Sequence, residues 1–265
     1  MRKFGFVVGV LVAIAAVGAI IFLGRQHQED TLKDQAAAHA ALVAKQKPAK
    51  AKATTTTSST KEEATSKTKK GQSLKYVALG DSLAAGDYTT KENLAYQYVI
   101  TRYLKDDLGF KATLDGYWEA GATIASIATP NYDSIVAMKP DLITIELGTN
   151  EQDTTNTYYA RSSTYKTNLT GLVSKLQNDL PQAKIILLTT WKTETSTTYD
   201  KVIKAVGAKA SVPVVDISSV WENAKNVSQQ GDTSWTGSGD GYHPNDAGNK
   251  AIAKLVEKRL DKLYD

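Results

Sequence analysis

The chain has 265 residues, with 32 Lys+Arg against 28 Asp+Glu for a net charge of +4, and no cysteine. Without cysteine, thiol catalysis, a disulfide framework and cysteine-ligated zinc are excluded. Residues 1–73 carry 12 Lys+Arg and 5 Asp+Glu, net +7, whereas residues 74–265 carry 20 and 23, net −3; the part able to fold lacks the basic excess that nucleic acid selects.

Residues 4–24, FGFVVGVLVAIAAVGAIIFLG, hold no charge, and as a helix rising about 1.5 Å per residue they span roughly 32 Å, enough to cross a bilayer. Arg2 and Lys3 precede this run, so the short N-terminus is expected in the cytoplasm and the rest outside, on a single-pass anchor in the cell membrane. Cleavage as a signal peptide after the small residues Val17-Gly18-Ala19 is the competing reading and would give a secreted protein. The apolar run continues through Ile20, Ile21, Phe22 and Leu23, which suits an uncleaved anchor better. Residues 25–73, containing KPAKAKATTTTSSTKEEATSKTKK, have too little apolar surface to offset chain entropy and read as a low-complexity linker. Its lysines offer contact to anionic lipid or wall polymer.

From residue 74 the pattern changes. Near-continuous apolar runs at 75–80, 141–148, 183–191 and 212–218, with a weaker one at 110–118, predict about five strands covered on both faces and hence parallel. Between them, helical spacing is expected at 93–108, 134–138, 165–180 and 198–210. A last helix begins at Asn245, a good N-cap, with Ile252, Leu255, Val256, Leu260 and Leu263 on one stripe. The alternation predicts a three-layer α/β/α sandwich over 74–265 with right-handed crossovers. Ligands of such sheets bind beyond the carboxyl ends of the strands, where the strand order reverses. GDS at 80–82 follows the first strand and GTNE at 148–151 the third, so adjacency of those strands would bring the two loops together.

Ser82, in YVALGDSLAAGDY, has a bland reading as a turn residue or helix cap. As a nucleophile it would need a base, because a serine hydroxyl attacks poorly at neutral pH, and that base would need an acceptor to fix its tautomer. His27 and His39 fall in the tether, which leaves His243, in SGDGYHPNDAG, with Asp240 three residues earlier. Asp-x-x-His in a glycine-rich turn lets the carboxylate face one ring nitrogen while the other reaches Ser82.

The segments GDSLAAG, EAGAT, LGTNE and DGYHPN resemble, in order, the four blocks of the SGNH hydrolases, also called GDSL lipases or esterases. The resemblance implies a flavodoxin-like fold and a serine hydrolase acting on carboxylic esters through an acyl-enzyme, with Ser82 as nucleophile, His243 as base and Asp240 as its orienting acid. It also implies an oxyanion hole from the backbone N–H groups of Ser82 and Gly121 and the side-chain amide of Asn150. Asp81 is expected only to hold the loop. Two residues depart from the family pattern: Glu151 stands where many members have aspartate, and Ala120 replaces a polar residue before Gly121.

No metal or organic cofactor is expected, since no HExxH or phosphate-cradling glycine loop is present. For the substrate, export on a stalk favours O-acetyl groups of surface glycans, with Trp118, Trp191, Trp221 and Trp235 as candidate sugar platforms and Trp235 foremost because it precedes the His243 turn. The anchor favours a lipid or lysophospholipid acyl ester instead, and a non-catalytic surface-binding module is the third reading.

Overall fold

The computed structural model of the protein describes residues 69–193 and 195–265. The expected anchor at 4–24 and the linker as far as residue 68 lie outside the described residues. Among the described residues no helix is long and apolar enough to cross a membrane. The last residues assigned to the linker already belong to the domain: Gly71 N donates to Gly109 O at 2.9 Å, and the first strand starts at Ser73.

In chain order the elements are β1 (Ser73–Gly80), α1 (Ser82–Ala85), α2 (Tyr96–Asp106), β2 (Lys111–Trp118), α3 (Tyr132–Ala137), β3 (Leu142–Glu146), α4 (Ser162–Asp179), β4 (Lys184–Leu188), α5 (Ser196–Ala210), β5 (Val214–Val215), α6 (Ser218–Trp221) and α7 (Asp246–Tyr264). A five-residue π-helical turn, Ile124–Ala128, follows β2. The five strands form one parallel sheet in the order β2-β1-β3-β4-β5, as the apolar runs predict.

Successive residues of a strand point to opposite faces, and here both faces are covered. Val77, Leu79, Ile143, Ile145, Ile185 and Leu187 pack with Ile135 of α3, Leu169 and Val173 of α4, and Ile203 of α5. On the other face Tyr76, Ala78, Leu142, Ile186 and Leu188 pack with Ile100 and Leu104 of α2 and Ile252, Val256 and Leu260 of α7. Strand order reverses at β1: the chain goes out to β2 through α2, then returns past β1 to β3. Right-handed crossovers then require α2 on one face and α3, α4 and α5 on the other, which is the arrangement found. The crevice between the C-terminal ends of β1 and β3 is therefore the topological switch point.

β2 gave the weakest strand signal because it is an edge strand, exposed at Lys111, Thr113 and Asp115. β5 is only two residues long, so the predicted run at 212–218 ends instead in a turn leading to α6. The final helix is capped as expected, with the Asn245 side chain accepting from Gly248 N at 3.0 Å.

Candidate active site

β1 and β3 are in register so that Gly80 faces Glu146 across the ladder, and the loops after both strands leave the sheet at the same level. A Cβ on Gly80 would lie 2.5 Å from Ala84 Cβ, so only glycine lets α1 fold back over the strand end. The cap of this short helix is Asp81, whose Oδ1 accepts from Leu83 N at 3.0 Å. Ser82 is thus the first helical residue, not the cap, and its hydroxyl is left for other work.

That hydroxyl lies 2.8 Å from His243 Nε2, and His243 Nδ1 lies 2.6 Å from Asp240 Oδ2. The other carboxylate oxygen, Oδ1, accepts from the backbone N–H groups of Tyr242 at 2.9 Å and His243 at 3.0 Å. Burial alone would raise the Asp240 carboxyl, but these two donors and the imidazole hold it below the usual carboxylate range. An ionised Asp240 takes the proton of Nδ1 as a hydrogen bond, which leaves the Nε2 lone pair to accept from Ser82.

The turn is anchored from beneath. Trp191, fully buried, donates from Nε1 to Tyr242 O at 2.8 Å, and Ser228 N donates to His243 O at 2.8 Å. Trp191 is therefore no sugar platform, and its role is to hold the histidine turn. Tyr88 stacks on the imidazole with centroids 4.4 Å apart and planes 12° apart, and Tyr242 meets its edge. No sequence motif marks Tyr88; its place follows from the Gly86–Thr89 turn after α1.

Gly121 and Asn150 come to the same rim. Gly121 adopts φ +77°, a left-handed conformation that favours glycine. Its carbonyl accepts from Asn156 Nδ2 at 3.0 Å. Among the described residues the N–H groups of Gly121 and Ser82 have no hydrogen-bond partner. The Asn150 amide donates to Asp81 Oδ2 at 2.9 Å and to Ala122 O at 3.2 Å, beside Gly121. Three donors of the kind that stabilise a developing oxyanion therefore stand near Ser82.

Beneath them lie three buried carboxyl groups, Asp81, Glu146 and Glu151. Burial pushes Asp81 up to about 6. Burial, reinforced by the charge of Asp81, pushes Glu146 well above its ordinary value, while its Oε2 accepts from Asp81 N at 3.2 Å. Glu151, pushed up to about 7 by burial, accepts from Ile124 N at 2.7 Å. Glu151, one of the two residues that depart from the family pattern, thus ties the Asn150 loop to the turn after Gly121. Its role was not legible, because it depends on a contact 27 positions away.

Glu151 also makes a prediction about stability. Its carboxyl is raised from 4.5 to about 7, so the folded state holds the proton more tightly. The associated stability is full below the unfolded value near 4.5 and is lost as pH rises through 7, on the order of 3 kcal/mol in all. Glu151→Gln keeps an acceptor for Ile124 N and has no proton to lose. The Tm of the wild type is expected to fall between pH 5 and pH 8, and that of Glu151→Gln to fall less steeply. Equal slopes in thermal melts would refute it.

The GDSL-like lipase/acylhydrolase family model matches residues 76–256, a segment containing all the residues brought together at this rim. No curated protein matches the chain. Among solved structures, an acetylxylan esterase from Geobacillus stearothermophilus superposes with a TM-score of 0.56 at 19% identity, covering 72% of this chain and 95% of its own. A psychrotrophic esterase from Pseudoalteromonas sp. gives 0.57 at 17% identity, covering 72% and 98%. An acetyl xylan esterase gives 0.56 at 18% identity, covering 71% and 100%. These likenesses show the shared fold, and with a family model spanning β1 to α7 they lead to one conclusion: the chain belongs to the GDSL-like lipase/acylhydrolase family and is a serine esterase or lipase.

Proposed function

We propose that the protein removes O-acetyl groups from glycans outside the cytoplasmic membrane, held there by its N-terminal apolar segment. Ser82 Oγ attacks the ester carbonyl while His243 Nε2 takes its proton. The N–H groups of Ser82 and Gly121 and the Asn150 amide, turned from Ala122 O, receive the oxyanion. His243 then protonates the departing sugar oxygen, and water, activated by the same imidazole, releases acetate from Ser82. The apolar run at 4–24 behind Arg2 and Lys3 supports the location, and the neighbours that are acetylxylan esterases support the ester class.

The observation that carries the glycan reading is Trp235. It is 47% exposed, the most exposed of the four tryptophans. It is also fixed: Nε1 donates to Gly86 O at 2.7 Å and its backbone N to Thr89 O at 3.0 Å. Both acceptors belong to the turn that carries Tyr88 onto His243. An indole pinned at its edge and about half exposed, on the turn whose Tyr88 stacks on His243, is a platform for the apolar face of a sugar ring.

Trp235→Ala is expected to raise KM for acetylated xylo-oligosaccharides roughly 5- to 10-fold with a smaller effect on p-nitrophenyl acetate, and Trp235→Phe to lose less. Initial rates on both substrates check this. Faster turnover of lysophospholipid or long-chain p-nitrophenyl esters than of acetylated glycan would assign the site to lipid acyl esters instead.

A further inference from the structure

A cavity of about 390 Å³ opens behind Tyr88, within the roughly 300–1,000 Å³ range of small-molecule sites. Three elements border it. One is the turn carrying Tyr88 and Thr90, and the second is the start of α7, with Ala247. The third is the root of a tight hairpin, closed by a Thr233–Ser238 bridge, whose tip is Trp235. Thr90 ties the first two together by donating from N and Oγ1 to the two oxygens of Asp246, both at 2.7 Å.

We propose that this cavity is a sugar subsite, holding one uncharged pyranose ring of a glycan next to the ring whose O-acetyl group meets Ser82. The inference rests on the glycan reading above and extends it from one platform residue to a cleft open to solvent. Position comes first: Tyr88, which stacks on His243, lines the cavity, whereas His243 and Ser82 do not, so the cavity adjoins the reacting groups and suits the neighbouring sugar, not the scissile ester. Chemistry comes second. The lining contains no Lys or Arg and no aliphatic side chain larger than Ala247, so a phosphate would find two carboxyl groups and no cation, and an acyl chain no apolar wall.

What the lining does contain is hydroxyl-binding capacity. The hydroxyls of Tyr88 and Thr233 and Asp232 Oδ1 have no partner among the described residues, Asp232 Oδ2 being engaged by Gln229 N at 2.8 Å. Asp232 and Asp246 are the two carboxyl groups of the lining; they disfavour an anion, among the described residues no cluster of three or more metal-ligating side chains occurs, and the Asp232 Oδ1 left free suits the hydroxyl of a neutral sugar.

The test uses the full chain in detergent with three substrates: partially acetylated xylotriose, the acetylated methyl glycoside of xylose, and p-nitrophenyl acetate. The wild type is expected to prefer the trisaccharide over the monosaccharide in kcat/KM. Ala247→Phe, which fills the cavity from an exposed position, is expected to lower the ratio of kcat/KM on trisaccharide to that on p-nitrophenyl acetate by about tenfold, through KM. Thr233→Val should lower it a few-fold. General damage to the fold would lower both activities and leave the ratio in place. Equal use of mono- and trisaccharide by the wild type, or an unchanged ratio in Ala247→Phe, overturns the subsite and leaves the glycan reading standing. Turnover of p-nitrophenyl acetate with none of either sugar ester overturns both.

Discussion

Replacing Ser82 by alanine is expected to lower kcat on p-nitrophenyl acetate by roughly 10⁴- to 10⁶-fold, with the fold intact. The size follows from the geometry: the hydroxyl 2.8 Å from His243 Nε2 is the group the imidazole can deprotonate, and a methyl group offers nothing to form the acyl-enzyme. Residual turnover would come from the oxyanion donors acting on bound ester and water. The fold should survive because the cap of α1 is Asp81 and alanine is the best helix former at the position Ser82 occupies. This variant also separates an enzyme from a binding module on the same fold, since a module would not need the hydroxyl. An alanine variant that hydrolyses the ester at the wild-type rate, or a wild type whose Ser82 is not phosphonylated by a fluorophosphonate as read by mass spectrometry, would end the acyl-enzyme reading.

What the sequence could say depended on how local each cause is. β1 and β3 were legible because burial on both faces makes nearly every residue apolar, and Asn245 announced α7 because an N-cap acts within one turn. Ser82, Asp240 and His243 stood out because short motifs surround them, and the strand order brings those motifs to one rim. The π-helical turn at Ile124–Ala128 was hidden: five residues give no period, and its cap, Thr123 with Ser126, reads as ordinary loop. Contacts between loops were hidden for a different reason. The hydrogen bond of Asn150 to Asp81 and that of Glu151 to Ile124 exist only once β1 and β3 are neighbours and the chain after β2 folds back over them. Trp191 shows the same limit, since nothing in TTWKT says that a turn 51 positions later will need its indole N–H.

Asp240→Asn is expected to lower kcat about 10⁴-fold at pH 7, nearly as much as Asp240→Ala. In the wild type Oδ1 takes two backbone N–H groups and Oδ2 takes the proton on Nδ1. Asparagine has one oxygen for these three donors. If the oxygen stays with the backbone, the NH₂ faces Nδ1, the imidazole must carry its proton on Nε2, and it can no longer accept from Ser82. If the amide flips, its NH₂ meets two backbone donors and the turn loses the bonds that hold His243 in place. Either way the base is disabled, and the negative charge that would stabilise an imidazolium is gone. A position that merely shaped the turn would behave differently: the isosteric asparagine would then stay close to wild type and alanine would be the damaging change. Steady-state rates of both variants on p-nitrophenyl acetate decide between the two, and an asparagine variant within tenfold of wild type would remove Asp240 from the proton relay.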